Sequence, residues 1–130
     1  MVVLPEGARA LVDAGEFATI ATLEPDGQAQ LSVVWLARDG DDLLISTTKG
    51  RRKQVNLERD PRVTVLVYAR ENPYSYLEVR GRVSVTTEGG RELIDDLARR
   101  YTGAERYTGD APGVQRVVVR VHPEKVVWRG

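Results

Sequence analysis

The 130-residue sequence contains no cysteine, only one histidine and no net charge. The lack of cysteine excludes a disulfide framework, a thiolate zinc site, an iron–sulfur cluster and a cysteine nucleophile. The single histidine, His122, excludes a multi-histidine metal site within one chain and leaves little scope for a Ser-His-Asp triad. We therefore expect no metal, assign His122 no role, and expect any redox chemistry to come from a bound cofactor.

The sequence also lacks an excess of either charge and a long hydrophobic run. Its 19 basic side chains are balanced by 19 acidic ones, which argues against broad binding to nucleic acid or to a membrane surface. No apolar run approaches the roughly 20 residues that a membrane span requires, and the first residues lack a charged-then-apolar leader. We expect a cytoplasmic protein with one domain over residues 1–130, because Gly and Pro are scattered rather than gathered into a linker.

Alternating apolar residues predict a mainly β protein. Tight turns at 24–27 and 38–42 separate the first three predicted strands, which should form an antiparallel meander. In the second of these strands, Leu31, Val33 and Trp35 alternate and fall on one face. The strands are predicted at 17–23, 28–37, 43–47, 63–68 and 75–86, and the chain closes with either two strands, 116–121 and 125–128, or one strand bent at Pro123.

Only three segments have helical character, namely 5–15, 49–59 and 88–101. Gly81 predicts a β-bulge in the fifth strand. Many short antiparallel strands with few covering helices bury their apolar faces most economically in a barrel, because closure removes exposed strand edges. The sequence therefore predicts a small β-barrel with flanking helices, and a flat sheet with helices on one face is the alternative.

The most informative segment for function is 46–56, STTKGRRKQVN, which gathers hydroxyl groups and four cations between a strand and a helix. Its threonines can donate hydroxyl hydrogen bonds, while Arg51 offers a planar fork of donors and Lys53 a point charge. The N–H groups of the first helical turn are expected at the same place. This combination favours a phosphate ligand. The alternative is a solvated basic turn whose cations pair with Glu58 and Asp60.

Three aromatic residues are further candidates for a binding site. Trp35 either packs in the core or forms the wall of a slot for a flat ring. Tyr74 and Tyr76 alternate along the start of a predicted strand, so one of the two should face solvent or a partner. Exposed aromatic side chains of this kind indicate a partner or a flat ligand.

The order of these elements resembles the pyridoxamine 5′-phosphate oxidase-like split β-barrel family, in its flavin/deazaflavin oxidoreductase branch. The most specific stretch is 53–63, KQVNLERDPRV, which is similar to a signature of the deazaflavin enzymes: Lys, two residues, Asn-Leu, one residue, then Arg-Asp-Pro-Arg-Val. The resemblance extends from 17–23 to 126–128. It implies an antiparallel, six-stranded split barrel that forms a homodimer with a cofactor site at the subunit interface.

The resemblance also implies a set of cofactor-binding residues. Lys53 and Arg51 would hold the cofactor phosphate, and Asn56 would help to fix the loop. The segment 32–35 would lie beside the cofactor ring, with two tyrosines approaching from the partner chain. The full set comprises Ser32, Val33, Val34, Trp35, Ser46, Thr47, Thr48, Arg51, Arg52, Lys53, Asn56, Tyr74 and Tyr76; no catalytic side chain is identified.

The function implied by the resemblance is that of an F420-dependent oxidoreductase, which transfers a hydride between the deazaflavin and a small conjugated acceptor such as an enone, a quinone or a tetrapyrrole. The similarity of the basic loop favours F420. In addition, Arg51, Arg52 and Lys53 offer more positive charge than one phosphate requires, which fits a phospholactyl-oligoglutamate tail. The alternatives are an FMN-dependent oxidoreductase of the same fold and a non-catalytic protein that binds flavin or F420.

Overall fold

The fold is taken from a computed structural model, which describes residues 2–130. Seven strands and three helices follow one another in this part of the chain. Their bounds are α1 Glu6–Asp13, β1 Ala18–Leu23, β2 Ala29–Val34, β3 Ala37–Asp39, β4 Asp42–Thr48, α2 Arg52–Arg59, β5 Arg62–Ala69, β6 Asn72–Thr86, α3 Gly90–Thr102 and β7 Arg116–Arg129.

The seven strands form one antiparallel sheet in the order β2-β1-β5-β6-β7-β4-β3. Its two ends, β2 and β3, are not hydrogen-bonded to each other, so the curled sheet is barrel-like but not closed. The predicted mainly β, split-barrel architecture with flanking helices is therefore confirmed. The structure has one strand more than the six predicted, because the predicted strand 28–37 is divided into β2 and β3.

The predicted meander is wrong. Two hairpins do form, because β1 pairs with β2 and β3 pairs with β4, but they lie at opposite ends of the sheet. The chain leaves the sheet at Trp35 and Leu36, where the buried Leu36 N–H donates to the Tyr101 hydroxyl rather than to a neighbouring strand. This break sends β4 to pair with β7, so that residues 46–48 of β4 lie beside the first residues of β7.

One face of the sheet encloses the main core. Ile20, Val65 and Val79 are directly opposite one another on β1, β5 and β6, and all three are buried. Burial of each such side chain contributes about 1.5–3 kcal/mol. The helix α1 covers this core with its buried residues Ala8, Leu11 and Val12, as their helical spacing predicts.

The predicted common face of Leu31 and Val33 exists, but it points away from the core. Their side chains are 63% and 69% exposed. Val33 and Leu66 both lie opposite Thr19 of β1, so the three residues form a row across three strands. We refer to the exposed apolar side chains on the outer side of β2 and β5 as the apolar face, which consists of Leu31, Val33, Leu66 and Tyr68.

The long strand β7 runs without interruption past Pro123, so the predicted single bent strand is the correct alternative. Its register with β6 shifts at Arg80 and Gly81, which confirms the predicted bulge. A Cβ atom on residue 81 would overlap the backbone oxygen of His122, so this close approach requires glycine. On the outer face, α3 packs Leu93 and Leu97 in a second apolar cluster that includes Val118, Ala37, Trp35, Leu44 and Tyr101.

Candidate functional site

A cleft of about 290 Å³ opens where the ends of β2 and β4 and the start of α2 meet α3. Cavities for small ligands commonly measure about 300–1,000 Å³, so this cleft fits part of a cofactor rather than a whole dinucleotide-sized molecule. One end is polar and cationic, and the other is apolar and aromatic. The lining residues are Phe17, Val33, Val34, Trp35, Ser46, Thr47, Arg51, Lys53, Ile94, Leu97, Tyr107 and Arg116.

Lys53 is the most unusual residue of the cationic end. It lies in the first turn of α2 and is only 9% exposed, yet it forms none of the ion pairs found among residues 2–130. Burial lowers the pKa of its ammonium group, and the positive charges of Arg51 and Arg116 lower it further. A buried ammonium group without a carboxylate partner is costly, so its presence indicates an anionic ligand.

Arg116 was not foreseen from the sequence. It begins β7 opposite Thr48, and the pairing of β4 with β7 brings its guanidinium group to the cleft. Its Nε and Nη2 atoms donate to the two carboxylate oxygens of Asp110 at 2.8 and 2.7 Å. This pair raises the pKa of Arg116 and lowers the pKa of the Asp110 carboxyl, so both groups are charged at neutral pH.

The aromatic wall of the cleft consists of rings that pack against one another. Trp35 lies nearly parallel to Tyr101, with ring centroids 5.4 Å apart. Tyr107 meets Trp35 edge-on at 6.2 Å, and the guanidinium carbon of Arg116 lies 4.8 Å from the centre of the Tyr107 ring. The Phe17 ring is tilted against Tyr101, with centroids 5.8 Å apart. Trp35 is half-buried: it packs against the second apolar cluster and also lines the cleft, so its role as the wall of a ring slot stays a prediction.

The segment between α3 and β7 carries Tyr107, and hydrogen bonds to acidic side chains hold it in place. The Tyr107 N–H donates to an Asp95 carboxylate oxygen at 2.9 Å. The Arg91 guanidinium group donates hydrogen bonds to Asp95 and to the Tyr107 carbonyl oxygen. The bond from the Tyr107 N–H, with a further contribution from the Arg91 side chain, lowers the pKa of Asp95. Asp95 and Asp110 thus hold this segment at two separate points.

The structure brings together seven of the thirteen site residues expected from the sequence. Six do not line the cleft of this protomer. Thr48 is buried beside it, and Tyr74 and Tyr76 lie at the start of β6. The seven that do line it are Val33, Val34, Trp35, Ser46, Thr47, Arg51 and Lys53.

Arg52 points away from the cleft. It pairs with the Glu24 carboxylate, which raises the pKa of Arg52 and lowers that of Glu24. The alternative of a basic turn paired with Glu58 and Asp60 also fails. Glu58 instead accepts a hydrogen bond from Gln54, and Asp60 pairs with an arginine at the start of β5.

Asn56 and the hydroxyl group of Ser32 are buried, and neither residue lines the cleft. The fully buried Asn56 donates its side-chain amide to the Thr22 hydroxyl at 3.1 Å, and the Thr22 hydroxyl donates to the side-chain Oε1 of Gln30 at 2.8 Å. This chain of bonds fixes α2 against β1 and β2, which agrees with a role for Asn56 in holding the loop. The Ser32 hydroxyl is buried and has no hydrogen-bond partner among the described residues.

Five lining residues were missed by the sequence analysis. Phe17, Ile94, Leu97 and Tyr107 carry no local signal that separates them from core or loop residues, because contacts between segments distant in the chain bring them to the cleft. Arg116 could have been suspected as an isolated cation at the start of a valine-rich strand.

Residues 2–130 contain no cluster of three or more His, Asp or Glu side chains that could hold a metal ion. None of the helices in the same range is long and apolar enough to cross a membrane.

The sequence matches the family described as pyridoxamine 5′-phosphate oxidase over residues 4–128. The chain therefore belongs to this family, as the sequence resemblance predicts, and its split-barrel sheet is an oxidoreductase-type fold.

Among solved structures, the chain is similar to an F420 reductase, with 31% identity and a TM-score of 0.82 over 95% of this chain and 98% of that protein. It is also similar to a conserved hypothetical protein of Mycobacterium tuberculosis, with 26% identity and a TM-score of 0.75 over 96% and 84% of the two chains. General Stress Protein 26 of Bacillus anthracis, at 16% identity and a TM-score of 0.72 over 95% and 91%, shares the fold.

The cleft residues fit a flavin-type cofactor. Lys53 supplies a buried cation without a counter-anion, and Ser46 and Thr47 supply hydroxyl groups beside it. Trp35 supplies a half-buried ring surface at the other end. A molecule with a phosphate at one end and a flat ring at the other matches this donor set.

Proposed function

We propose that this chain is an F420-dependent oxidoreductase that transfers a hydride between the deazaflavin and a small conjugated acceptor. The observation that carries the proposal is the buried, unpaired Lys53 ammonium group beside Arg51 and Arg116, at the end of an aromatic cleft. The similarity to an F420 reductase over nearly the whole of both chains favours F420 over FMN.

The residues of the cationic end would bind the cofactor phosphate. Lys53 and Arg51 provide charge-assisted hydrogen bonds, each stronger than a bond between neutral groups. The hydroxyl groups of Ser46 and Thr47 lie at the same end and can donate further bonds. A phosphate bound here would pair with the positively charged Lys53 ammonium group. Its negative charge would raise the pKa of Lys53 again, because an adjacent anion favours the protonated form.

The residues of the aromatic end would orient the ring and exclude water. Trp35 is held by its stack on Tyr101, so its own ring is positioned before a ligand arrives. Val33 and Phe17 extend the apolar wall to the surface of the protomer. F420, when bound, supplies the hydride chemistry, so no protein side chain is needed as a nucleophile.

The proposal includes a homodimer in which the second copy completes the cleft. Val33 belongs both to the cleft lining and to the apolar face, so the two surfaces are continuous. An exposed apolar surface of this kind is typical of a protein interface. A symmetric dimer would bring the same face of each copy together and extend both clefts. In that arrangement Tyr74, which is 80% exposed, would approach the partner's cofactor.

The proposal is tested by titrating the purified protein with F420 and, separately, with FMN. Trp35 lines the cleft, whereas Trp128 packs against Gly7 of α1, so a Trp128→Phe protein reports on the cleft alone. We expect quenching by F420 with the tighter affinity. Reoxidation of reduced F420 by an enone or a quinone, followed through the cofactor absorbance, then measures hydride transfer.

A matched pair of variants shows whether binding uses the cationic end. Lys53→Ala should weaken F420 binding at least tenfold, which corresponds to about 1.4 kcal/mol, the minimum expected from a lost charge-assisted contact. Lys125→Ala removes an exposed lysine of β7 that forms none of the ion pairs found among residues 2–130, and it should leave the affinity unchanged. Preference for FMN would assign the protein to the flavin enzymes, and F420 binding without turnover with any acceptor would indicate a binding protein.

A further inference from the structure

The only histidine of the sequence lies between a serine and a carboxylate on the outer face of the sheet. The Nε2 atom of His122 is 2.8 Å from the Ser84 hydroxyl oxygen, and its Nδ1 atom is 3.4 Å from Oδ2 of Asp42. Ser84 belongs to β6, His122 to β7 and Asp42 to β4, so three neighbouring strands position these side chains. None of the three lines the cleft.

The connectivity is that of a nucleophile, a general base and an orienting group, as in a Ser-His-Asp triad. The Asp42 carboxylate beside Nδ1 of His122 favours the imidazole tautomer that carries its proton on Nδ1. The lone pair of Nε2 then accepts the Ser84 hydroxyl proton, which is the arrangement that activates a serine. The Nδ1 contact is longer than a strong hydrogen bond, as is common before a substrate binds.

The strand register explains why Ser84 and His122 meet. Arg120 lies directly opposite Ser84, and Arg82 lies directly opposite His122. Ser84 and His122 are therefore diagonal neighbours on one face of the sheet, within reach of each other's side chains. The bulge at Gly81 shifts the pairing of β6 with β7 immediately before this pair of rows. Bulges of this kind re-aim side chains and are frequent beside active sites.

Arg120 supplies a positive charge beside Ser84. Its Nη1 atom is 3.2 Å from a carboxylate oxygen of Asp42 and 3.2 Å from one of Asp39. The hydrogen bond to Asp42 raises the pKa of Arg120, so the guanidinium group stays charged. Its Nε and Nη2 atoms donate in none of the hydrogen bonds found among residues 2–130, so they are available to bind a developing oxyanion.

We propose that Ser84, His122 and Asp42 form a second reactive site, at which the chain hydrolyses short, activated carboxylic esters. The Ser84 oxygen forms a bond to the ester carbonyl carbon while Nε2 of His122 takes the hydroxyl proton. The bond between that carbon and the alcohol oxygen then breaks, and the alcohol leaves with the proton from His122. A water molecule, deprotonated by His122, attacks the acyl-serine in the same way and releases the carboxylic acid and free Ser84.

The exposure of the site limits the substrate class. The His122 side chain is 49% exposed and that of Asp42 is 29% exposed, so the reacting groups lie on an open surface. Water weakens the electrostatic stabilisation that a closed site would give to the oxyanion. An ester with a good leaving group needs the least of this stabilisation, and a short acyl group needs no pocket.

An alkyl fluorophosphonate, which phosphonylates activated serine hydroxyl groups, tests the nucleophile on the full chain without added cofactor. We expect labelling at Ser84, located by peptide mass spectrometry. His122→Gln should slow this labelling about 100-fold, which lies in the range that a positioned base supplies. Ser75→Ala removes a half-buried hydroxyl group of the same strand and is the matched control, which should be labelled like the wild type.

Asp42 acts through His122 as a positioning residue. Asp42→Asn keeps the side-chain size but removes the charge beside Nδ1, and it should slow the labelling of Ser84 about tenfold. Asp42→Glu should restore most of the rate, which damage to the local structure would not allow. Urea denaturation of each variant shows whether the sheet remains folded.

Turnover is measured with p-nitrophenyl acetate through the absorbance of the released p-nitrophenolate. We expect Ser84→Ala and His122→Gln both to lose the hydrolysis seen above the background rate. Hydrolysis that is lost in His122→Gln but retained in Ser84→Ala would show that the imidazole acts alone, and it would overturn the inference. A wild-type chain that is not labelled at Ser84, equal labelling of wild type and His122→Gln, or labelling without ester turnover would also overturn it.

These results are independent of the proposed F420 dependence, because Ser84, His122 and Asp42 lie outside the cleft and no cofactor enters the reaction.

Discussion

The Trp35 ring lies on the Tyr101 ring, with centroids 5.4 Å apart and planes inclined by 15°. Tyr101 does not line the cleft, but its hydroxyl donates to the Glu16 carbonyl oxygen at 2.7 Å and accepts the Leu36 N–H at 3.0 Å. The Tyr101 side chain of α3 therefore links three parts of the molecule: the segment just before β1, the break between β2 and β3, and the Trp35 ring of the cleft.

Replacing Tyr101 by Phe should destabilise the protein, because the ring stack is retained but the Glu16 and Leu36 backbone groups lose their partner. We expect the free energy of unfolding to fall by about 1–3 kcal/mol, as measured by urea denaturation. Tyr74→Phe is the matched control, since that side chain is 80% exposed. Equal stability of the two variants would show that the Tyr101 hydroxyl does not support the wall.

Replacing Lys53 by Met should stabilise the cofactor-free protein and weaken cofactor binding at the same time. The substitution removes a buried ammonium group that has no ion-pair partner and retains most of its apolar volume. We expect the free energy of unfolding to rise by about 1–2 kcal/mol. A loss of stability in the cofactor-free protein would contradict the interpretation of Lys53 as a desolvated, unpaired cation.

The Lys53→Met substitution should also change how the free energy of unfolding depends on pH. The pKa of Lys53 is lowered from 10.5 in the folded protein, so in the alkaline range below 10.5 the unfolded chain binds more protons at this position. Stability rises with pH wherever the unfolded state binds more protons. The stability advantage of Lys53→Met should therefore be largest near neutral pH and shrink towards 10.5, a trend that urea denaturation at a series of pH values can measure.

Asp60 predicts an acid-dependent contribution from the turn that follows α2. Hydrogen bonds from the Arg62 side chain and backbone lower the pKa of Asp60 from 3.8 to about 2. This contribution to stability is present above pH 3.8 and is lost as the pH falls through about 2. The stability difference between wild type and Asp60→Asn should therefore be larger at about pH 5 than at about pH 2. A constant difference would contradict the pairing.

The apolar face predicts that a charge at Leu31 will block association. Leu31 is 63% exposed on β2 and does not line the cleft. Leu31→Asp should convert the proposed dimer to a monomer in sedimentation velocity and weaken F420 binding, while the unfolding of the monomer changes little. Gln28→Asp, in the adjacent exposed turn, is the control and should remain dimeric. A wild-type monomer that binds F420 fully would refute the dimer.

The sequence was sufficient for much of the local structure and for several of the residues that line the cleft. The helical spacing of Ala8, Leu11 and Val12 predicted α1, and Gly81 marked the bulge. Ser46, Thr47, Arg51 and Lys53, which the run of hydroxyl and basic residues singled out as candidates, line the cleft, while their binding role stays a prediction. These predictions succeeded because turn geometry, side-chain period and anion chemistry depend on residues that are close in the chain.

Other features required the tertiary structure, because they depend on contacts between distant residues. The meander failed because the Leu36 N–H bonds to Tyr101, 65 positions away, and β4 pairs with the last strand. Arg52 resembles its neighbours in sequence, yet the fold places Glu24 beside it and removes it from the cleft.

The sequence by itself determined that the chain forms an antiparallel barrel-like sheet with a loop rich in hydroxyl and basic residues, since periodicity and residue chemistry are local properties. Only the tertiary structure decided that Lys53 is buried without a partner and that Asp110 offsets the charge of Arg116. The physical reason is that burial and charge pairing are set by which distant side chains the strand order brings together, and the amino-acid pattern along one segment does not specify that order.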